Sequence, residues 1–451
     1  MKALTEEMAD WIIRLRYEDL PSDVVTRAKQ ILLDTIGCAL GALDGAPVRL
    51  AREVAQEEGG APRAMPIGLS WRTSCEQAAF LNALAIRYLD FNDYSISGGH
   101  ASIHVGPALA VAQAQGLSGK DLLLGIVIGY EVQILLQYAT AKAQHDNWDH
   151  STFVHYSAAA VAGKLLGLSS SQLAQALAIA GSHALTLAEV RRGRLSMWKG
   201  AAEPVGMRGG TFAALLAHAG LTGPLTVLEG KYGYARVLGG KLRGELLRKP
   251  PKRFHILESC IKPWPCLFVA QAPVAAALRL RARGVTADAI EKITIVLSDF
   301  GYQQQKRFME TGISTREDAD HSVPYCVTRS LLDGELRLEH FEEQAFKRPE
   351  VRALIQRVVL RSDPGLPKRV GARVELKLRD GTTISERVPY PPGHARNPLS
   401  EEELSGKFFR ITENLLEKGR AARASEMILH IDELAVLDPL LDALQVKPAV
   451  S

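Results

Sequence analysis

The sequence carries none of the short signatures that identify many enzyme classes. It has no glycine-rich phosphate loop, no GxSxG nucleophile elbow and no HExxH zinc helix. It is also poor in cysteine. Cys38, Cys75, Cys260, Cys266 and Cys326 are odd in number, scattered, and never paired as CxxC. That spacing argues against a zinc knuckle, a disulfide framework or an iron–sulfur cluster, and it points to a reducing compartment. Net charge is equally unhelpful to a nucleic-acid reading, because +4 is small beside 54 basic and 50 acidic residues. Any cationic pocket must therefore be local.

Membrane and export signals are missing too. MKALTEEMADWIIRL reads as an amphipathic helix without the basic start and apolar run of a signal peptide. The most apolar stretch, DLLLGIVIGYEVQILLQYA, contains Asp121 and Glu131 and reads as a buried helix rather than a span. The expectation is a cytoplasmic protein with no membrane or nucleic-acid partner. Its 451 residues suffice for two domains and at least one large core.

The organisation that is present divides near residue 265. Residues 1 to about 245 are rich in alanine and leucine and read as helical. Gly116, Gly167 and Gly220 open GLSG, GLSS and GLTG, which suit helix stops followed by a capping Ser or Thr. Ser169 with Gln172 fits a capping box, and Ser118 with Asp121 is a looser version. Further on, KITIVLSD (292–299) alternates like a strand, and 372–388 reads as two strands joined through Asp380-Gly381. Ser400 with Glu403 starts a last helical segment. The expected architecture is mainly α with an α+β second domain: a helical domain over 1–264, an α+β lid over 265–394, and a helical return over 395–451. A cleft between the domains is the expected place for a site.

Ionisable residues gather in five segments. YLDFNDYSISGGHASIHVGP (88–107) holds Asp90, Asp93, Tyr94, His100 and His104. Histidines four apart share a helix face and could ligate a metal, or they and the aspartates could simply cap turns. NWDHSTFVHYSAAAVAGKLLGLS places Asp149, His150 and His155 before an alanine-rich helix. An aspartate can hold a neighbouring histidine in one tautomer for acid–base work, although an ordinary hydrogen bond at a helix start explains it as well. EVRRGRLSMWKGAAEPVGMRGG crowds Arg191, Arg192, Arg194, Lys199 and Arg208 among small residues. Such a run is either a solvated face or, with close backbone approach, a seat for a small polycarboxylate. SCIKPWPCLF brings Lys262 to a proline-bounded turn, and DADHSVPYCVTRSLLDGE brings His321, Ser322 and Tyr325 to a helix start.

In order and spacing, these segments together resemble the MmgE/PrpD family of 2-methylcitrate dehydratases, cis-aconitate decarboxylases and iminodisuccinate epimerases. The resemblance runs from LLDTIGCALGA (32–42) to the C-terminal helical segment. It implies a large helical domain, a smaller α+β lid, a homodimer, and a small di- or tricarboxylate as substrate, with no metal or other cofactor. Residue by residue it implies Asp90, His100, His150, Lys199 and Tyr325 as catalytic. Tyr94, where decarboxylases have threonine, and Lys262 are implied as substrate-binding; Arg192 would hold a carboxylate by its charge, and His321 would bind substrate as the lid's replacement for the histidine missing after the WPC turn. Two departures stand out. WPCLFVAQ has Leu267 or Val269 where the family carries a histidine, and RRGRLSMWKG replaces the longer segment of methylcitrate dehydratases. The implied activity is a hydro-lyase of the 2-methylcitrate dehydratase kind. A decarboxylase, an epimerase or a non-catalytic polycarboxylate binder are the alternatives.

Overall fold

A computed structural model describes residues 2–140, 148–192, 195–237, 242–311 and 313–447, except for the side chains of 192 and 307–311. The chain forms two compact units. One comprises residues 1–88, 92–259 and 400–451; the other comprises 89–91 and 260–399.

The first unit is helical: α1 (Leu4–Arg14), α2 (Ser22–Gly41), α3 (Ala46–Glu58), α4 (Cys75–Tyr88), α5 (Val105–Ala114), α6 (Gly119–Thr140), α7 (Val154–Leu165), α8 (Ser170–Ser182), α9 (Glu189–Arg192) and α10 (Trp198–His218). The three predicted stops are where the glycines put them. Gly116, Gly167 and Gly220 follow α5, α7 and α10 with φ of 63°, 69° and 99°, a region that costs glycine nothing. Both predicted boxes form, with Ser169 and Gln172 reciprocally bonded at α8 and Ser118 bonded to Asp121 ahead of α6. Helix α6 is apolar and long enough to cross a membrane, yet 94% of that window is buried inside the protein. Its Glu131 accepts from the His255 ring at 2.8 Å and from the His255 and Ile256 amides, which is how a carboxylate survives in that interior.

Helices α7 and α10 pack closely because glycines line their contact. A Cβ on Gly206 would lie 2.3 Å from Val154, and one on Gly210 would lie 2.3 Å from the His155 carbonyl. The small residues following Lys199 thus admit another helix. The helix Glu401–Thr412, the first of the C-terminal segment, starts on the predicted Ser400/Glu403 box and packs on α2, where Lys407 meets Asp34 at 2.6 Å.

The second unit is α+β. The two-residue strands β1 (Tyr94–Ser95), in the first unit, and β2 (Ser259–Cys260), at the boundary, are not part of its main sheet. The main sheet runs β4 (Val358–Ser362), β3 (Ile290–Leu297), β5 (Ala372–Leu378), β6 (Thr383–Val388). β3 pairs parallel with β4 and antiparallel with β5, and β5–β6 is the predicted hairpin turning at Gly381, φ 87°. Ile293, Ile295, Leu297, Val374 and Leu376 share the unit's buried core with the helices Gln271–Ala282 and Val323–Asp333.

Candidate functional site

Each unit assembles its own group of ionisable side chains. In the first, Asp149 caps the 3-10 turn His150–Phe153, accepting from the Ser151 amide at 3.0 Å. That fixes His150, whose Nε2 lies 3.0 Å from Oε1 of Glu203 on α10. A carboxylate only accepts, so Nε2 carries the hydrogen and a neutral ring leaves Nδ1 as the basic nitrogen. Nδ1 sits 3.6 Å from Asp149. The other Glu203 oxygen receives Arg87 Nε at 2.7 Å and Arg191 Nη2 at 3.3 Å, while Arg191 Nε holds Asp149 at 2.7 Å. Burial alone would raise the Glu203 carboxyl, but His150 and Arg87 hold it well below the usual carboxylate range. Asp149 is likewise opposed by burial and held at about 2 by Arg191 and His150.

His100 completes this group. Its ring lies 6.1 Å from that of His150. Its Nδ1 contacts the Asp93 carbonyl at 2.7 Å, so that nitrogen donates and Nε2 is left for proton transfer. Lys199, buried near the start of α10, lies one helical turn before Glu203 and therefore on the same face. Two carboxylates paired with two guanidiniums, with Lys199 one turn away on the same helix face, suit an incoming carboxylate better than a cation. The ligand atoms of His100, His150 and Glu203 do fall within 4.8 Å of one another. A divalent ion there would share Glu203 with Arg87 and Arg191.

The second group is Asp90, Lys262, Asp320 and His321. Asp90 is the one non-glycine residue with positive φ (50°) among the described residues, a conformation that an aspartate tolerates when its surroundings hold it. Lys262 does so, with Nζ 2.6 Å from the Asp90 carbonyl and 3.0 Å from its Oδ1, both residues being buried. Asp320 hydrogen-bonds His321 Nδ1, turning Nε2 toward Asp90 Oδ2 at 3.8 Å. This is an oriented imidazole between two carboxylates. A metal could engage Asp90, Asp320 and His321 only beside the Lys262 ammonium.

Several residues of the same segments have structural duties. Asp93 accepts from the Ser102 amide at 3.1 Å and from Tyr130 at 2.7 Å. His104 is locked between the Ala101 carbonyl and Ser157, both at 2.7 Å, and burial lowers it to about 4. His155 packs edge-on to His183, and burial lowers it to about 4 as well. Ordinary hydrogen bonds thus account for Asp93 and His104, whereas His155 is held by packing. Arg208 is exposed, and Arg194 and the Arg192 side chain lie outside the described residues. Tyr94 is buried in β1. Tyr325 joins neither group, because its hydroxyl donates to the His340 carbonyl and its ring packs against Phe341.

Sequence reasoning passed over Arg87, Glu203 and Asp320. Glu203 stands four residues after Lys199, Asp320 directly precedes His321, and Arg87 lies in the last turn of α4 after a mostly apolar run. Each was visible as a charge at a helical or adjacent spacing.

A large helical unit and a smaller α+β unit, each centred on a histidine held by a carboxylate, define the class of protein. The chain belongs to the MmgE/PrpD family. The MmgE/PrpD N-terminal domain matches residues 6–245 and the C-terminal domain matches 264–433. It is 29% identical to cis-aconitate decarboxylase of Mus musculus, over 100% of this chain and 96% of the relative. It is 28% identical to the human cis-aconitate decarboxylase, over 98% of this chain and 95% of that protein. It is also 28% identical to 2-methylcitrate dehydratase of Salmonella typhi, over 86% of each.

Proposed function

We propose that this protein is a lyase that abstracts a carbon-bound proton from a small di- or tricarboxylate, and that the reaction is dehydration of a hydroxy acid of the 2-methylcitrate kind. The observation that carries this reading is His150 bonded to Glu203 amid Arg87, Arg191 and Lys199, with His100 alongside. An imidazole nitrogen takes the carbon-bound proton, the carbon–oxygen bond breaks, and the oxygen leaves as water once protonated. His100 and His150 are the acid–base candidates. Lys199 and the arginines, Arg192 included, hold carboxylates and steady the charge that develops on proton loss. Asp90, Lys262 and His321 are proposed for the same reaction, Lys262 as a cation and His321 as a further proton carrier. The parts of Tyr94 and Tyr325 rest on the resemblance alone, and Tyr325 would have to release the His340 carbonyl.

Decarboxylation of cis-aconitate is the second reading, supported by the full-length match to the mouse decarboxylase. Proton NMR in deuterated water decides between them, using chelator-treated protein with 2-methylcitrate, citrate, cis-aconitate or iminodisuccinate. Loss of a hydroxy acid with appearance of its olefin supports dehydration. Carbon dioxide release from cis-aconitate supports decarboxylation, and proton exchange alone supports epimerisation. Absence of turnover with thermal protection by one acid would leave a polycarboxylate binder.

A cytoplasmic homodimer is part of the proposal. The five cysteines are buried thiols, which suits a reducing compartment. Trp198, Val205 and Phe212 recur every seven residues on one face of α10 and are 54%, 36% and 50% exposed, an apolar seam that a second copy would cover. Light scattering tests this: Phe212→Glu should yield a monomer, and a monomeric wild type would end the proposal.

A further inference from the structure

Residues 92–102 close on themselves, and Asp93 makes the closure. Its carbonyl accepts from His100 Nδ1 at 2.7 Å. Its Oδ1 accepts from the Ser102 amide at 3.1 Å, and beside it Asn92 Nδ2 donates to Ser102 Oγ at 2.9 Å. Inside the loop, Gly98 and Gly99 take φ of 112° and 74°, and the Ser95 amide donates to the Gly99 carbonyl at 3.1 Å. One residue thus brackets the histidine. Its main chain holds the ring, and its side chain holds the 3-10 turn Ala101–His104 that follows.

The second carboxylate oxygen ties this loop to the body of the first unit, because Tyr130 of α6 donates to Asp93 Oδ2 at 2.7 Å. Asn92, Asp93, Ser102 and Tyr130 are all buried, so these bonds are made away from bulk water. Burial raises the Asp93 carboxyl in spite of the donors around it, so its part is to accept and anchor rather than to supply charge.

We propose that Asp93 and Tyr130 are positioning residues for His100: by fixing the Asp93 carbonyl they hold the ring in its Nδ1–H tautomer, with Nε2 as the basic nitrogen. A ring released from that carbonyl can take the other tautomer, which puts a hydrogen on the nitrogen that has to accept one. Tyr130 acts at one remove, by keeping the carboxylate, and with it the main chain of Asp93, against α6. The inference rests on the proposed proton transfer by His100 and adds two residues that act through it rather than on the substrate.

The test reads the tautomer itself, by magic-angle-spinning NMR of the full chain carrying 15N-labelled histidine, at alkaline pH where imidazoles are neutral. A His100→Gln spectrum assigns the His100 signals by difference. Wild type should show a protonated Nδ1 and a bare Nε2. Asp93→Ala should lose that signature, and Tyr130→Phe should show both tautomers. Steady-state rates use whichever of 2-methylcitrate and cis-aconitate the wild type converts. There kcat should fall about a hundredfold in D93A and about tenfold in Y130F, with KM unchanged in both. Asp93→Asn keeps an acceptor for Ser102 and a donor toward Tyr130, so it should restore the tautomer and about tenfold of the kcat lost in D93A. Should D93A fail to fold, Y130F, which removes one hydroxyl, decides. The proposal falls if the wild-type ring carries its hydrogen on Nε2, or if Y130F keeps the single Nδ1–H form. It falls equally if activity is lost through KM alone. A variant that loses the tautomer yet keeps kcat removes His100 from proton transfer, and the proposal fails with that role. If wild type converts neither acid, the parent reading fails, and the tautomer still decides whether Asp93 and Tyr130 hold His100.

Discussion

His150 Nε2 and Oε1 of Glu203 are 3.0 Å apart, and the second oxygen of the same carboxylate is 2.7 Å from Arg87 Nε. One buried carboxylate therefore orients the histidine and neutralises a buried guanidinium. Neither Arg87 nor Glu203 is more than 2% exposed. Separating the two duties is the sharpest way to test the site.

Glu203→Gln removes the charge while keeping the shape. Arg87 is left buried without its counter-ion, which typically costs about 3–5 kcal/mol. His150 loses the acceptor-only carboxylate that selects its tautomer, since an amide can equally donate, so kcat should fall on the order of 10²-fold or more. Urea unfolding and steady-state rates at saturating substrate check the two effects separately. A stable variant with kcat unchanged would remove His150 from proton transfer.

Asp149 makes a pH prediction with a definite sign. Its carboxyl is held at about 2 against an ordinary 3.8, so the unfolded chain binds its proton first as pH falls. Its contribution, about 2 kcal/mol, is fully present above pH ~4 and is lost as pH drops toward ~2. Asp149→Asn should be destabilised by that amount at pH 7, with the gap to wild type closing across this window. Guanidinium titrations at several pH values measure it, and a gap independent of pH would contradict the assignment.

Most of the helical frame was legible because its punctuation is local. A glycine stop or a Ser/Gln box acts within four residues, and Gly116, Ser169 and Ser400 all behave as read. The strands of the β5–β6 hairpin were legible for the same reason, through Asp380-Gly381. The site was legible only as residue types. His100 and His104 share a spacing and a chemistry, yet one faces His150 and the other is locked between Ala101 and Ser157. Nothing within the segment distinguishes them; the difference lies in α7, which supplies Ser157, more than fifty residues away. The glycines after Lys199 misled in the opposite direction, since close backbone approach was correctly inferred but the approaching backbone is α7.

Asp320 and His321 form the second testable pair. The Asp320 carboxylate holds Nδ1 and leaves Nε2 toward Asp90. Asp320→Asn preserves volume but no longer selects that tautomer, so kcat should fall by roughly 10²–10⁴ if His321 carries a proton. The pH–rate profile should change shape as well, which a purely structural hydrogen bond would not cause. A rate within threefold of wild type and an unaltered profile would restrict His321 to packing.

The ion pair between Lys407 and Asp34 carries the last prediction. Its partners are 2.6 Å apart and no more than 2% exposed, joining the helix Glu401–Thr412 to α2 beside the Gly37–Phe408 contact. Burial raises the Asp34 carboxyl even with Lys407 beside it, and well-packed apolar side chains often replace a buried ion pair without loss of stability. Lys407→Met alone strands a buried carboxylate and should cost about 3–5 kcal/mol. Adding Asp34→Leu removes the stranded charge and should recover most of that loss or exceed wild type. Chemical unfolding of the two single variants and the double variant closes the cycle. Additive losses in the double variant would mean that the pair fixes the position of the helix Glu401–Thr412 by more than its charge.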